Sequence, residues 1–409
     1  MARFSLDDAR HTRELVFAGD WNPEESMTQL PKTAAARLSF DFDRAPFLVI
    51  WEVTRACALA CVHCRADAIP CRDPHELTTQ EGLRLIDQVR AIGPSTGSGQ
   101  APPPLFVLTG GDPMRRPDLA ELVGYASSVG LTVALTPSGT AAATRARLAE
   151  LKDAGLSRVA VSLDGPTPEA HDAFRRVRGS HAWTMRIIES TLDLGLPLQI
   201  NSTISKLTLP YLETMAESMS HLPVALWALF FLIQTGRGAS LDQITAEECE
   251  RVLNFLYDLS LTSPFGIKTT EAPHYQRVVW ERDHARLAQG LPTHSVERKR
   301  QLRAPRSVGD GNGFVFVDHV GNICPSGFLP VQRGNVRTTD LGSVYRTDDV
   351  FTRLRDPNAL MGNCGRCRFR AICGGSRSRA FAATGAVMAS DPLCAYVPGE
   401  VTEPIVNHA

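Results

Sequence analysis

Short apolar runs recur along the chain from residue 47 onward, separated by stretches with helical spacing. The runs are Phe47–Val53, Phe106–Thr109, Thr132–Thr136, Arg158–Leu163, Leu198–Ile204 and Ala225–Leu232. Between the first two, Leu83, Leu85, Ile86, Val89 and Ile92 repeat at helical spacing. That period predicts an amphipathic helix over 77–92, capped by Thr78 or Thr79 with Glu81 in its first turn. Further helices are expected over 118–128, 141–154, 183–194 and 209–221. Strands alternating with helices predict a parallel sheet with crossover helices. Short apolar strands suit a sheet buried on both faces.

The alternation stops near residue 235. Residues 236–305 predict mostly helix, at 246–259 and 274–287, with Pro264 and Pro273 as breakers. A strand-like piece at 313–317 then opens a region of Gly and Asn turns with cysteines. The Gly, Ser and Pro-rich stretch 93–104 reads as a surface loop. Four parts follow: an extension over 1–45, a core over 46–235, a helical bridge over 236–305 and a small domain over 306–400.

The 409 residues suffice for a large buried core. A formal net charge of -1 gives no footprint for a nucleic-acid partner. No apolar run is long enough for a membrane span, and the N-terminus has no signal-peptide core, so a cytoplasmic location is expected. Ten cysteines then need a reason. Thiols stay reduced in the cytosol, so clustered cysteines point to metal or catalysis. Cys249 is expected as a buried small hydrophobe. Cys71 is either the same or a surface thiol.

The first group is Thr54-Arg55-Ala56-Cys57-Ala58-Leu59-Ala60-Cys61-Val62-His63-Cys64, directly after the first predicted strand. Fe–S clusters are normally held by four thiolates, and here three are local. Three ligands leave one metal position open, the logic of a catalytic rather than a structural site. A partial zinc site or buried thiols are the bland alternatives. This spacing resembles the signature of the radical S-adenosylmethionine (SAM) superfamily. The resemblance implies that Cys57, Cys61 and Cys64 hold a 4Fe-4S cluster whose open iron binds SAM. It further implies reductive cleavage of SAM to a 5′-deoxyadenosyl radical that abstracts a substrate hydrogen, and a partial (β/α)6 barrel as the fold of the core. His63 is expected near the adenine.

Other strand ends carry the same resemblance. Gly110-Gly111-Asp112-Pro113 resembles the family's Gly-Gly-Glu-Pro motif, with Asp112 in place of Glu. Ser138 follows the third strand, Ser162-Leu163-Asp164-Gly165 the fourth, and Asn201 lies on the fifth. The resemblance assigns Gly110, Gly111, Asp112, Pro113, Ser138, Ser162, Asp164 and Asn201 to SAM. One of Arg175, Arg176 and Arg178 is expected either at the SAM carboxylate or on the surface.

The second group is Cys364, Cys367 and Cys373, with Cys394 downstream and Cys324 upstream. Zinc and Fe–S share this tetrahedral sulfur chemistry. The arrangement resembles the SPASM/twitch-like domain of many radical SAM enzymes, which implies an auxiliary 4Fe-4S cluster. A further cysteine of that pattern is replaced by Arg377. By the family pattern Cys364, Cys367, Cys373 and Cys394 form the ligand set. Cys324 is a vestige, a swapped ligand or a substrate-side thiol.

Three stretches point to a subgroup: Trp51 to Arg55, Trp227 to Gly238 with its Gly236-Arg237-Gly238, and Cys373 to Arg377. They resemble SPASM enzymes of the alternative haem pathway. That implies a tetrapyrrole substrate, oxidative decarboxylation of a propionate, and a reducing partner such as ferredoxin or flavodoxin. A peptide maturase is the alternative enzyme, and a non-catalytic Fe–S or zinc protein the alternative of another class. Glu271, His274 and Tyr275 are expected either at the substrate or on a solvated surface.

Overall fold

The computed structural model describes residues 40–93, 103–293 and 308–399. Most of the expected extension and of the expected 93–104 loop therefore lies outside the described residues. Six parallel strands fall where the apolar runs predict: β1 (Leu48–Glu52), β2 (Leu105–Thr109), β3 (Thr132–Leu135), β4 (Leu156–Ser162), β5 (Leu198–Ile204) and β6 (Leu226–Phe231). The helices between them match too, with one addition at Pro168–Arg175. That helix is a single short stretch behind a Thr167 cap and Pro168, too brief to show a full period.

The helix Thr79–Ile92 starts with a capping box between Thr78 and Glu81. It packs its Leu85, Ile86 and Val89 against the sheet. Gly82 makes room for Trp51, whose ring would lie 2.6 Å from a Cβ at that position. Trp51 is fully buried and stacks on Phe106 at 6.4 Å. Burial of each such aliphatic or aromatic side chain contributes about 1.5–3 kcal/mol.

Two features differ from the sequence reading. The bridge, expected as mostly helix, contains a seventh parallel strand, β7 (Gly266–Thr270), paired with β6. Its sequence, Gly-Ile-Lys-Thr-Thr, has little apolar character, so hydropathy does not reveal it. The C-terminal part also joins the main sheet. β8 (Phe314–Val317) pairs in parallel with β1, and β9 (Asn322–Cys324) and β10 (Gly334–Asn335) continue antiparallel. The sheet order is β10-β9-β8-β1-β2-β3-β4-β5-β6-β7. The partial barrel expected from the sequence is thus present, with β7 and β8 extending its two edges.

The two faces of the strands differ in character. Trp51, Leu108, Val133, Val161, Ile200 and Trp227 point to the helices and are fully buried. Ile50, Val107, Ala134, Ser162, Asn201 and Phe230 line the inner side, around one cavity of about 1030 Å³. Among the described residues no helix is long and apolar enough to cross a membrane.

Candidate active site

The loop after β1 carries the first three cysteines and is pinned from several sides. Ala56 bridges Ile69, and Cys57 N–H donates to Ile69 O at 2.8 Å. Arg55 donates from Nε to Ala66 O at 2.8 Å and from Nη2 to Asp67 O at 2.8 Å. Gly236-Arg237-Gly238, after β6, clamps the far side. Arg237 N–H donates to Cys64 O at 3.0 Å, and its side chain donates to Cys61 O at 3.0 Å and Ala68 O at 3.1 Å. Gly236 has φ +53, and a Cβ there would meet Cys64 O at 2.6 Å. Only glycine suits that close approach of backbone to backbone.

Cys57, Cys61 and Cys64 all line the cavity. Burial pushes the Cys57 thiol up to about 11. A bound cation reverses that preference, because a coordinating thiol is deprotonated outright. Donors surround the sulfurs. Leu59 N–H lies 3.3 Å from Cys57 Sγ, and Arg175 Nη1 lies 3.6 Å from Cys61 Sγ. Buried His63 Nδ1, Arg175 Nε and Arg237 Nη2 have no hydrogen-bond partner among the described residues. Orphaned polar atoms on residues that line a cavity with three thiols fit a site built for a polar ligand and a cluster.

Of the eight residues assigned to SAM by resemblance, Gly110, Gly111, Ser138, Ser162 and Asn201 line this cavity. Ser138 Oγ donates to Gly111 O at 2.5 Å and lies 3.6 Å from Cys57 Sγ. Asp112, Pro113 and Asp164 are not brought to the cavity wall. Asp112 is fully buried and accepts from Thr140 Oγ1 at 2.7 Å, Met114 N–H at 3.2 Å and Ser138 N–H at 3.4 Å. Its carboxylate braces the loops after β2 and β3. The glycines, expected to let backbone approach a ligand, instead let it approach the cysteine loop. A Cβ on Gly110 would sit 2.6 Å from Thr54 O, and one on Gly111 2.6 Å from Ala56 O.

Asp164 acts through its neighbours. It accepts from Thr203 N–H at 2.7 Å and forms a buried ion pair with Arg175. Burial works against the Asp164 charge, and the Arg175 guanidinium outweighs it, holding the carboxyl below its usual range. Arg175 is thereby fixed at the cavity wall, beside the cysteines. His63 stacks on Phe174 at 4.3 Å, and burial with the Arg175 charge pushes its pKa down to about 3, so the ring is neutral.

The second cysteine group meets in a smaller pocket. Cys364, Cys367, Cys373 and Cys394 line it together with His274 and Asp391. Asp391 N–H donates to Cys364 Sγ at 3.4 Å and Phe369 N–H to Cys367 Sγ at 3.4 Å. Arg377, standing where the resemblance leads one to expect another cysteine, donates to Cys364 Sγ at 3.5 Å and to Ala389 O at 2.7 Å. Burial opposes a charge on His274, but Asp391, 3.3 Å away, wins and lifts it to about 9. His274 in turn holds the Cys394 thiol below its ordinary value against the effect of burial. Among the described residues no three Cys, His, Asp or Glu side chains converge on a single-ion site. The thiolates of a four-iron cluster sit around its corners rather than one point, so four sulfurs lining a pocket with N–H donors fit it.

Cys324, expected as a vestige, a swapped metal ligand or a substrate-side thiol, does not line the four-thiol pocket. It sits on β9, where burial raises it to about 12 and its charged neighbours are Asp318, Arg65 and Glu52. Cys249 is buried in the core and Cys71 is exposed. Glu271, His274 and Tyr275 are not a solvated surface. Glu271 and Tyr275 line the large cavity, and His274 is buried beside the second cysteine group. Glu271 has φ +60 and accepts from Ser376 Oγ at 2.5 Å. Burial and the nearby Asp310 carboxylate push its pKa well above the ordinary value. Sequence reasoning missed Arg237 as a clamp, although the flanking glycines mark its position. It had no signal for Asp310.

A parallel partial barrel, with three thiols on the loop after its first strand and polar groups at the following strand ends, defines an iron–sulfur enzyme of the barrel type. Comparison with known proteins gives the family. The radical SAM superfamily profile matches residues 51–218. The AdoMet-dependent heme synthase of Oleidesulfovibrio alaskensis is 40% identical over 353 residues, covering 86% of this chain and 87% of that one. The AdoMet-dependent heme synthase of Methanosarcina barkeri is 36% identical, covering 87% and 98%. The chain belongs to the radical SAM superfamily, whose members use a 4Fe-4S cluster and SAM. Among solved structures, Streptococcus suis SuiB bound to its precursor peptide SuiA has a TM-score of 0.62 at 14% identity, covering 86% of this chain and 76% of that one. That likeness supports the fold.

Proposed function

We propose that this chain is a radical SAM enzyme that oxidatively decarboxylates propionate side chains of an iron tetrapyrrole. The observation that carries the reading is the 40% identity to a heme synthase over 86% of this chain. In the reaction proposed, one hydrogen atom, one carbon dioxide and one electron leave each propionate, and a vinyl group remains. Cys57, Cys61 and Cys64 hold the SAM-binding cluster in this reading, and Cys364, Cys367, Cys373 and Cys394 an auxiliary one. When bound, the first cluster and SAM supply the hydrogen-abstracting radical.

The protein's own residues position and enclose. Arg175, held charged by Asp164, presents donors toward an anionic group such as the SAM carboxylate. Neutral His63 stacked on Phe174 supplies a flat apolar wall beside the cysteines. Ser138, Ser162 and Asn201 offer polar contacts on the same rim. The N–H donors around Cys364 and Cys367 favour a more reduced cluster, as an electron acceptor requires. The electrons that start the reaction come from a reducing partner such as ferredoxin or flavodoxin.

The test is anaerobic reconstitution with iron and sulfide, reduction with dithionite, and addition of SAM and Fe-coproporphyrin III. The expected result is 5′-deoxyadenosine together with a porphyrin bearing vinyl groups, both absent in the C57A/C61A/C64A variant. Loaded, reduced protein that forms 5′-deoxyadenosine only with a peptide overturns the tetrapyrrole reading.

A further inference from the structure

Strand register lays out the barrel's inner face in rows. One row runs Phe316, Ile50, Val107 and Ala134 and ends at Arg158 on β4. Another runs Ser162, Asn201 and Ala228 and ends at Lys268 on β7. Both cations line the large cavity and are solvent-accessible. Among the described residues neither has a hydrogen bond or an ion pair. Other cavity-lining arginines are engaged: Arg65 with Glu52 at 3.0 Å, Arg175 with Asp164, and Arg237 with backbone carbonyls.

A lysine on an outer surface needs no partner, because water serves. Lys268 is different. It is solvent-accessible too, but on the inner face of the sheet, where its neighbours on β6 are Leu226, Ala228 and Phe230. A cation on an inner cavity wall, among apolar neighbours and with no counter-charge among the described residues, suits an anionic ligand group. Of the acidic groups on the same cavity, Glu271 and Asp310 are tied to Ser376 and Ser378, and Asp356 accepts from Asn358 N–H at 2.9 Å in its own helical turn. The lumen therefore combines apolar walls with two uncommitted cations on separate strands. That chemistry matches a flat apolar molecule carrying several carboxylates.

We propose that Lys268 and Arg158 are carboxylate anchors that seat the acidic side chains of the substrate in the barrel lumen. The inference rests on the tetrapyrrole reading above and names residues for it that the SAM motifs do not include.

The experiment is an absorbance titration of the cluster-loaded protein with Fe-coproporphyrin III and with its tetra-amide, without turnover. Lys268→Met removes the charge at similar length, and Lys268→Arg retains it. Loss of one buried charged hydrogen bond predicts roughly ten- to hundred-fold weaker binding of the carboxylate form by Lys268→Met and by Arg158→Leu. Lys268→Arg stays close to wild type. Against the tetra-amide, wild type and Lys268→Met bind alike, because the partner is already gone. Iron content equal to wild type shows that the variants are folded. Equal affinity of wild type and Lys268→Met for the carboxylate form overturns the anchor assignment and leaves the tetrapyrrole reading standing. Wild type that binds no iron porphyrin overturns both.

Discussion

Replacing Gly111 by alanine puts a methyl group within 2.6 Å of Ala56 O, with Arg55 O closer still. Both are backbone atoms, so no side chain can swing aside. Relief requires the loop after β2 to pull back from the cysteine loop. Two backbone hydrogen bonds hold them together: Gly111 N–H to Thr54 O and Asp112 N–H to Ala56 O, each at 2.7 Å. Overpacking costs about 1–3 kcal/mol. Weakening the two hydrogen bonds adds about 0.5–1.5 kcal/mol each. The expected loss is therefore on the order of 2–6 kcal/mol, located at the segment that carries Cys57. Gly195→Ala is the matched control. It has φ +67 but no atom within 4 Å of the methyl group it would gain, so it carries only the left-handed backbone penalty of about 1–2 kcal/mol. Urea unfolding reports stability, and iron bound after reconstitution reports the loop. Gly111→Ala is expected to lose more stability than Gly195→Ala and to load the first cluster poorly. If both variants are equally stable and equally iron-loaded, the close packing is not what fixes the cysteine loop.

Two further outcomes are expected. Cys373→Ser lowers the iron bound after reconstitution by one cluster, whereas Cys324→Ser, on β9 away from the four-thiol pocket, leaves iron content and the reduced-state EPR signals unchanged. Glu81 is held down to about 2 by its hydrogen bond from Arg337, 2.7 Å away, so the stability it contributes is present above its ordinary value of 4.5 and is lost as pH falls through about 2; Glu81→Gln should flatten that part of the pH profile in urea unfolding, and an unchanged profile refutes the assignment.

The six strands β1–β6 are legible because a sheet covered by helices needs short apolar runs, and those runs set hydropathy directly. β7 is not, because its inner face carries Lys268 and Thr270 toward a cavity rather than apolar groups toward a core. β8 is legible as a strand but not as a neighbour of β1, since pairing between distant segments leaves no local mark. At the site, cysteine spacing carries most of the information, because thiolate ligands tolerate no substitute. Asp112 and Asp164 illustrate the limit. Both sit in motifs that suggest ligand contact, yet each faces away from the cavity and orders the groups that do line it. Sequence names the residue type at a strand end but not the direction of its side chain. Arg158 and Lys268 are the converse: ordinary in sequence, and distinctive once register places them in the lumen.

The parallel pairing of β1 with β8 has a consequence for how the molecule is made. β1 leaves the ribosome well before its partner Phe314–Val317, which follows more than two hundred residues later. At about 5–20 residues per second, one edge of β1 waits on the order of tens of seconds for cover. Throughout that time Cys57, Cys61 and Cys64 hang from a strand whose edge hydrogen bonds are unpaired. Such an edge invites pairing with other chains. Nascent chains interrupted before β8 should therefore aggregate and bind iron badly even though they contain the whole cysteine motif.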